Sequence, residues 1–232
     1  MRLPLTIAIM LALIGATFAA PTDLVKAQTQ MVSPAVKISD NCSGQVVYSN
    51  RDKVSGDVTT LILTAKHCVV NVSPADIISI SVPVYSNGNE LIGEKVSYAK
   101  VIAKDSTDLA LIELLDRQTL YDNISFIESL DNRLVIGEEC FAVGFPMAGS
   151  LTVSGGLVGP LERQDTGDGP TPYLRATAQI AKGSSGGALY RYTGGEYMLI
   201  GIATARSKTD AFIGLWTPLS SIVPFLEKNI PE

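Results

Sequence analysis

The chain has 232 residues, 46% hydrophobic and 18% charged, with a formal net charge of -5. That is globular composition, enough for one large domain or two small ones. No basic run is present, so nucleic acid is not an expected partner, and a single histidine argues against a histidine-built metal site.

The N-terminus reads "MRLPLTIAIMLALIGATFAAPTD". Arg2 precedes an uncharged apolar run over residues 3–18, followed by small residues. The run is shorter than a membrane-crossing helix needs, so residues 1–19 read as a secretory signal. Cleavage after Ala19 is the first candidate and after Ala27 the second; an uncleaved membrane anchor is the alternative. Residues 20–32 are polar and mixed and read as a flexible lead-in. With the signal removed, no stable membrane association is expected.

From Gly44 the pattern becomes strands. "GQVVYS" and "DVTTLILT" are β-branched runs around the turn-like "NRDKVSG", which predicts a hairpin. "VSYAKVI" alternates in part, with Val96, Tyr98 and Ile102 on one side. "DLALIEL" reads as a buried strand. "YDNISFIESLDNRL" has no strand periodicity and reads as a connection between halves. A second series follows: "ECFAVG", "LTVSGGLVGPL", "YLRATAQI", "GALYRY", "MLIGIATA" and "AFIGLWT". "PLSSIVPFLEK" reads as a helix, with Ser220 as a possible N-cap and Pro224 within the first turn. Many short strands split by one long connection fit two β-barrels or a sandwich.

Three segments carry chemistry. His67, in "TAKHC", follows an apolar strand and sits at its polar tip. Asp108 opens "DLALIEL", where a carboxylate can be shielded and can orient an imidazole; Asp105 is the competing candidate. "AKGSSGGALY" concentrates glycine around two serines. Glycine backbone can turn N–H groups toward an oxyanion, and a serine beside them needs a base to become a nucleophile. Ser185 fits that place, with the N–H groups of Gly183 and Ser185 as the oxyanion hole. A plain Gly-Ser turn is the rival reading of this stretch, a turn residue that of Asp108, and a structural imidazole that of His67.

Cys42, Cys68 and Cys140 complete the reactive set. Export permits a disulfide, and three cysteines allow one bridge and one leftover thiol.

"TAKHC", "DLALIEL" and "GSSGGAL", in that order, resemble the histidine, aspartate and serine motifs of the trypsin-like serine peptidases of the chymotrypsin fold. "VSPAVKI", "YAKVIAKDSTDLALIEL", "AVGFPMAGSLTVSGGLVGPLER" and "AQIAKGSSGGAL" look most like the HtrA/Deg-type peptidase domain. The resemblance runs from about Val32 to Ile222. It implies an all-β fold of two six-stranded antiparallel β-barrels with a short C-terminal helix. The peptidase domain then covers 33–232, with barrels at about 33–117 and 134–218 and the helix at about 219–229. It further implies a secreted or periplasmic serine endopeptidase acting on protein or peptide substrates, with no metal or organic cofactor. A catalytically inactive binding protein of the same fold, or a membrane-anchored processing peptidase, is the alternative.

The resemblance also implies a Cys42–Cys68 bridge, as in the digestive branch, and leaves Cys140 as a buried free thiol. HtrA-type proteins usually carry PDZ domains after the peptidase; none precedes Glu232, so a PDZ-regulated assembly is not expected. Ser184 stands where digestive relatives have an aspartate that pairs with a new N-terminus. Activity is therefore expected not to depend on where the chain begins within residues 20–30. By motif position, Gln179, Ile180, Thr204 and Gly214 should line the substrate side-chain pocket. No acidic residue is expected at its base, so a small or medium apolar side chain is expected there rather than Arg or Lys.

Overall fold

The computed structural model describes residues 23–39, 41–86, 90–165, 170–207, 210 and 212–230. The expected signal at 1–19 lies outside them. Six strands form the first half: β1 (Ala35–Ile38), β2 (Cys42–Arg51), β3 (Val58–Ala65), β4 (Ile78–Tyr85), β5 (Leu91–Lys104) and β6 (Leu109–Leu114). They close into an antiparallel barrel in the order β1-β2-β3-β6-β5-β4. The second half holds β7 (Phe126–Ile127), β8 (Glu139–Gly144), β9 (Thr152–Asp165), β10 (Pro170–Ala176), β11 (Ala188–Thr193), β12 (Glu196–Arg206) and β13 (Gly214–Pro218). Their order is β11-β8-β9-β10-β13-β12-β7, and a β11–β12 pairing joins six of them into a ring. The expected all-β architecture of two six-stranded barrels is present.

The near-continuous apolar runs mark strands that are buried on both faces. On β3, Ile62 points into the first barrel, while Leu61 and Leu63 join a cluster that draws on both barrels. β6 repeats this, with Ala110 and Ile112 inside and Leu109 and Leu111 at the shared cluster. β8 answers from the other side: Cys140 and Ala142 fill the second barrel, and Phe141 and Val143 meet the shared cluster. A dry seam thus fixes the barrels against each other, and the site sits at its rim.

Val96, Tyr98 and Ile102 do share a side of β5, but it faces outward, with all three at least 40% exposed. Ser97, Ala99 and Val101 face inward instead, and Ala99 and Val101 join the cluster inside the first barrel. The connection also departs from expectation. Within it β7 pairs in parallel with β12, and Glu128, buried just after it, meets Arg191 at 2.9 Å.

Residues 24–32 are not a flexible lead-in. Leu24–Ala27 forms the helical turn α1, and Gln28–Val32 continues it as a π-helical turn. Met31 is fully buried in the shared cluster. Gln30 accepts a bond from Tyr197 N–H at 2.9 Å and donates to Glu196, to which Lys26 also bonds. Three buried side chains in nine residues, Ala27, Gln30 and Met31, with polar anchors on β12, were too sparse a pattern to read as a helix. The C-terminal helix α2 spans Leu219–Asn229, as expected, but Ser220 is inside it and does not cap it, and Pro224 lies in its second turn. The proline costs the bond to the Ser220 carbonyl, which belongs to an exposed residue where water can substitute. Burial of Leu219, Ile222, Phe225 and Leu226 holds the helix regardless.

Candidate active site

β3 and β6 run antiparallel with Ala65 opposite Leu109. The residues just beyond one end of this ladder therefore become neighbours. Lys66 N–H continues the ladder onto the Asp108 carbonyl at 2.9 Å. His67 follows in a 3-10 turn, Lys66–Val69. Its backbone N–H donates to Asp108 Oδ1 at 2.9 Å, and its Nδ1 lies 2.8 Å from Oδ2. Asp108 adopts φ +64, a left-handed conformation that aspartate tolerates better than most residues. Thr204, from β12, donates its hydroxyl to Oδ2. Burial pushes the Asp108 carboxyl up, but the bonds from His67 and Thr204 and the His67 charge outweigh it, holding the group below the usual carboxylate range. Asp105 is otherwise engaged. Its carboxylate accepts Thr107 and Leu109 N–H groups and builds the turn before Asp108.

In the 181–187 loop, four carbonyls in a row are held. Lys182 O accepts Met147 N–H at 2.5 Å and Ser184 O accepts Gly187 N–H at 2.8 Å. Gly183 O accepts the Ser43 hydroxyl at 2.8 Å, and Ser185 O accepts Ser43 N–H at 2.7 Å. In a planar trans peptide the N–H points opposite the carbonyl. Fixing Lys182 O and Ser184 O therefore fixes the N–H vectors of Gly183 and Ser185. Among the described residues those two N–H groups donate to no protein acceptor, whereas those of Ser184, Gly186 and Gly187 all do. Gly183 has φ +95, and a Cβ there would sit 2.5 Å from Phe145 O. Gly186 has φ +81, and its Cβ would meet Thr64 Oγ1 at 2.1 Å and Ser43 O at 2.2 Å. Both positions demand glycine, so the stretch is more than an open surface turn. Ser184 Oγ is turned back to accept Ala181 N–H at 3.1 Å, and Ser184 is buried.

A cavity of about 200 Å³ adjoins Ser185. Of the four residues expected to line a substrate pocket, Ile180 and Thr204 border it, with Ala181, Ala203 and Ala205 and the cations Lys182 and Arg206. Gln179 and Gly214 do not. Gln179 borders a separate small cavity with Trp216 and Ser184. Gly214 sits behind Trp216, where an added Cβ would come 2.8 Å from the indole nitrogen. Thr204's bond to Asp108, the two cations and Ser43 were all missed by sequence reading; no local pattern marks them. A larger cavity of about 850 Å³, bordered by Leu130, Val135, Ile136 and Leu161, has no histidine or carboxylate in its lining.

Cys42 and Cys68 are joined. Cys68 Sγ lies 3.6 Å from Ser185 O, a plain contact since a cystine sulfur has no proton to donate. It brings the residue after His67 against the backbone of Ser185. Cys42, His67 and Cys68 cluster closely enough to suggest a metal site, but the bridge leaves no thiolate to ligate one. Cys140 is free and buried, and burial pushes its thiol up to about 12.

Known proteins resemble this chain in sequence and in fold. The "probable periplasmic serine protease do/HhoA-like" of Haemophilus influenzae is 36% identical over 110 residues, 46% of this chain and 22% of that protein. A "probable periplasmic serine endoprotease DegP-like" protein of Rhizobium meliloti is 35% identical over 109 residues, 46% of this chain and 20% of that one. The chain thus spans about a fifth of the length of these curated relatives. The MamO protease domain of Magnetospirillum magneticum superposes with a TM-score of 0.63 at 23% identity, over 84% of this chain and 96% of that one. The serine endoprotease of Yersinia pestis gives 0.62 at 22% identity, over 90% and 67%. At such identities the two structures speak for the fold alone. The family model described as "Trypsin-like peptidase domain" matches residues 42–202, more than half of the sequence, and so the chain belongs to that family.

Proposed function

We propose that this chain is a secreted or periplasmic serine endopeptidase using His67, Asp108 and Ser185, within a peptidase domain covering 33–232. The observation that carries the reading is the pairing of an Asp108-held imidazole with a loop whose Gly183 and Ser185 N–H groups are oriented and unspent. Asp108 holds Nδ1, which leaves Nε2 as the basic nitrogen of the neutral ring. Nε2 takes the Ser185 hydroxyl proton as Oγ attacks the substrate carbonyl. The two N–H groups stabilise the oxyanion, and the Asp108 carboxylate stabilises the imidazolium. His67 then gives its proton to the departing amine, leaving an acyl-enzyme. Water, deprotonated by His67, attacks the ester and releases the acid. Three alanines and Ile180 beside Ser185 favour an apolar side chain, and Lys182 and Arg206 oppose a cationic one. The "periplasmic" in the relatives' names supports an exported address. Among the described residues no helix is long and apolar enough to cross a membrane.

The test is a fluorophosphonate probe with peptide mapping, alongside hydrolysis of a peptide library. Label on Ser185 is expected, with kcat lowered roughly 10⁴–10⁶-fold in Ser185→Ala and far less in Ser184→Ala. An unlabelled, folded wild-type chain without hydrolytic activity would instead support the inactive binding protein.

A further inference from the structure

We propose that Ser43 is a positioning residue for the oxyanion loop, a role that rests on the serine-peptidase reading above. Ser43 is fully buried in the first barrel, on β2, yet it holds the nucleophile loop of the second half with both its backbone and its side chain. Its N–H donates to Ser185 O at 2.7 Å. Its hydroxyl accepts Phe145 N–H at 2.9 Å and lies 2.8 Å from Gly183 O. Phe145 N–H can only donate, and Gly183 O can only accept, so the hydroxyl proton must point at Gly183. The direction of the bond is thus fixed without seeing the hydrogen.

The effect on the loop follows from peptide geometry. Gly183 O and Ser185 O belong to the peptide planes on either side of the 184–185 plane, which carries one proposed oxyanion donor. Gly183 is also the residue that carries the other. With φ +95 and no side chain, its backbone has more freedom than any neighbour's, so an external restraint has most to do there. The same Ser43 hydroxyl holds Phe145, which opens the segment whose Met147 N–H fixes Lys182 O. One hydroxyl therefore supports both donors, from two directions. Ser43 is itself fixed: its carbonyl accepts the Thr64 hydroxyl at 2.7 Å, three residues before His67. The base and the oxyanion donors are tied to a common point by three short bonds. A donor held where charge develops needs no reorganisation during reaction, and that is the benefit of such support.

The test compares Ser43→Ala, Ser43→Gly and Ser43→Thr in the full chain, with the disulfide verified by mass. Ala and Gly keep the N–H and lose the hydroxyl; Thr keeps both. In Ala and Gly, kcat should fall about 10–100-fold with KM within about twofold, and Thr should recover most of it. A peptide boronate, whose oxygen occupies the oxyanion position, should lose at least tenfold in affinity for Ser43→Ala. The matching peptide should bind Ser185→Ala and Ser43→Ala/Ser185→Ala equally. Wild-type kcat in folded Ser43→Ala or Ser43→Gly would overturn the role of Ser43 alone. Equal losses of peptide and boronate affinity would also overturn it, by marking a general structural defect. If neither hydroxyl-free variant folds, Ser43→Thr decides by the same kcat and boronate measurements: values unlike wild type in a folded Thr variant overturn the proposal. A wild-type chain that the fluorophosphonate does not label would overturn the underlying reading instead.

Discussion

Gly183→Ala should separate the cost of strain from the cost of lost function. At φ +95 the alanine sits in left-handed space, a penalty of about 1–2 kcal/mol. Its Cβ would also lie 2.5 Å from Phe145 O, 3.0 Å from Met147 N and 3.1 Å from Ala148 N. These are backbone atoms, so the loop itself must shift, and overpacking of this kind adds about 1–3 kcal/mol. The sum, about 2–5 kcal/mol, corresponds to a fall in Tm of roughly 4–20 °C at about 2–4 °C per kcal/mol for a chain of this size. Gly194→Ala is the control. Its φ is +59, and nothing lies within 4 Å of an added Cβ. It should lose only about 1–2 kcal/mol and keep full activity. In Gly183→Ala the displaced N–H should lower kcat by about 10²–10³, as loss of an oxyanion donor does. Calorimetry and peptide hydrolysis on the three proteins decide it. A Gly183→Ala enzyme with kcat within threefold of wild type would refute the assignment of that N–H.

Asp108 has a folded pKa below its unfolded value, so its stabilising contribution is present above about pH 4 and is lost as pH falls through the folded value. The Tm gap between wild type and Asp108→Asn should narrow as pH falls below about 4; a gap at pH 2.5 as large as that at pH 5 would contradict it. Lys182 and Arg206 line the cavity at Ser185 and neither has an ion-pair partner among the described residues, so a glutamate substrate side chain should be cleaved faster than its lysine counterpart. Lys182→Glu combined with Arg206→Glu should reverse that order, and an unchanged ratio would show that the two charges do not reach the substrate. Iodoacetamide should label no cysteine in the native protein, one after unfolding without reductant and three after reduction, given the bridge and the buried Cys140.

The chemistry was legible because each proposed group sits at the end of its own strand motif. An apolar run followed by a polar tip locates His67, and a carboxylate opening a buried run locates Asp108. The strand runs were legible for the same reason: burial on both faces leaves unbroken apolar stretches such as "LILTA" and "LALIEL". What could not be read is what lies across the fold. Alternation told that Val96, Tyr98 and Ile102 share a side, but not that the barrel turns that side to solvent. Thr204 reads as a pocket residue until the β3–β6 ladder brings Asp108 beneath its hydroxyl. Ser43 meets Gly183 across 140 residues of sequence, and no periodicity carries that distance. Of the four expected pocket residues, Ile180 and Thr204 border the cavity at Ser185, whereas Gly214 packs behind Trp216, a contact that only side-chain placement reveals.

Where the chain begins was expected not to matter within residues 20–30, and the structure refines this. The Ser184 argument stands on chemistry: a buried hydroxyl that accepts Ala181 N–H offers no partner for a new ammonium group. The stability of the chain has a different boundary. α1 contributes Lys26, whose bonds to Glu196 and Gly195 are only part-buried, and Ala27, a small buried side chain. Met31 is another matter. It is fully buried among residues of both barrels, and removing such a side chain costs about 2–5 kcal/mol. Gln30 adds a bond to the Tyr197 N–H of β12. A chain beginning at Gln28 should therefore keep nearly the Tm and all of the activity of one beginning at Asp23. A chain beginning at Ser33 should melt roughly 4–20 °C lower, by the same 2–4 °C per kcal/mol, and Met31→Ala in the longer chain should reproduce most of that loss. At temperatures well below melting, its kcat should remain near wild type, because the segment touches neither His67 nor the 181–187 loop through any hydrogen bond among the described residues. Thermal melts and initial rates at 20 °C on the four proteins test both halves. If the Ser33 chain were inactive while still folded at 20 °C, the N-terminal segment would be part of the catalytic switch and not only a stabilising element.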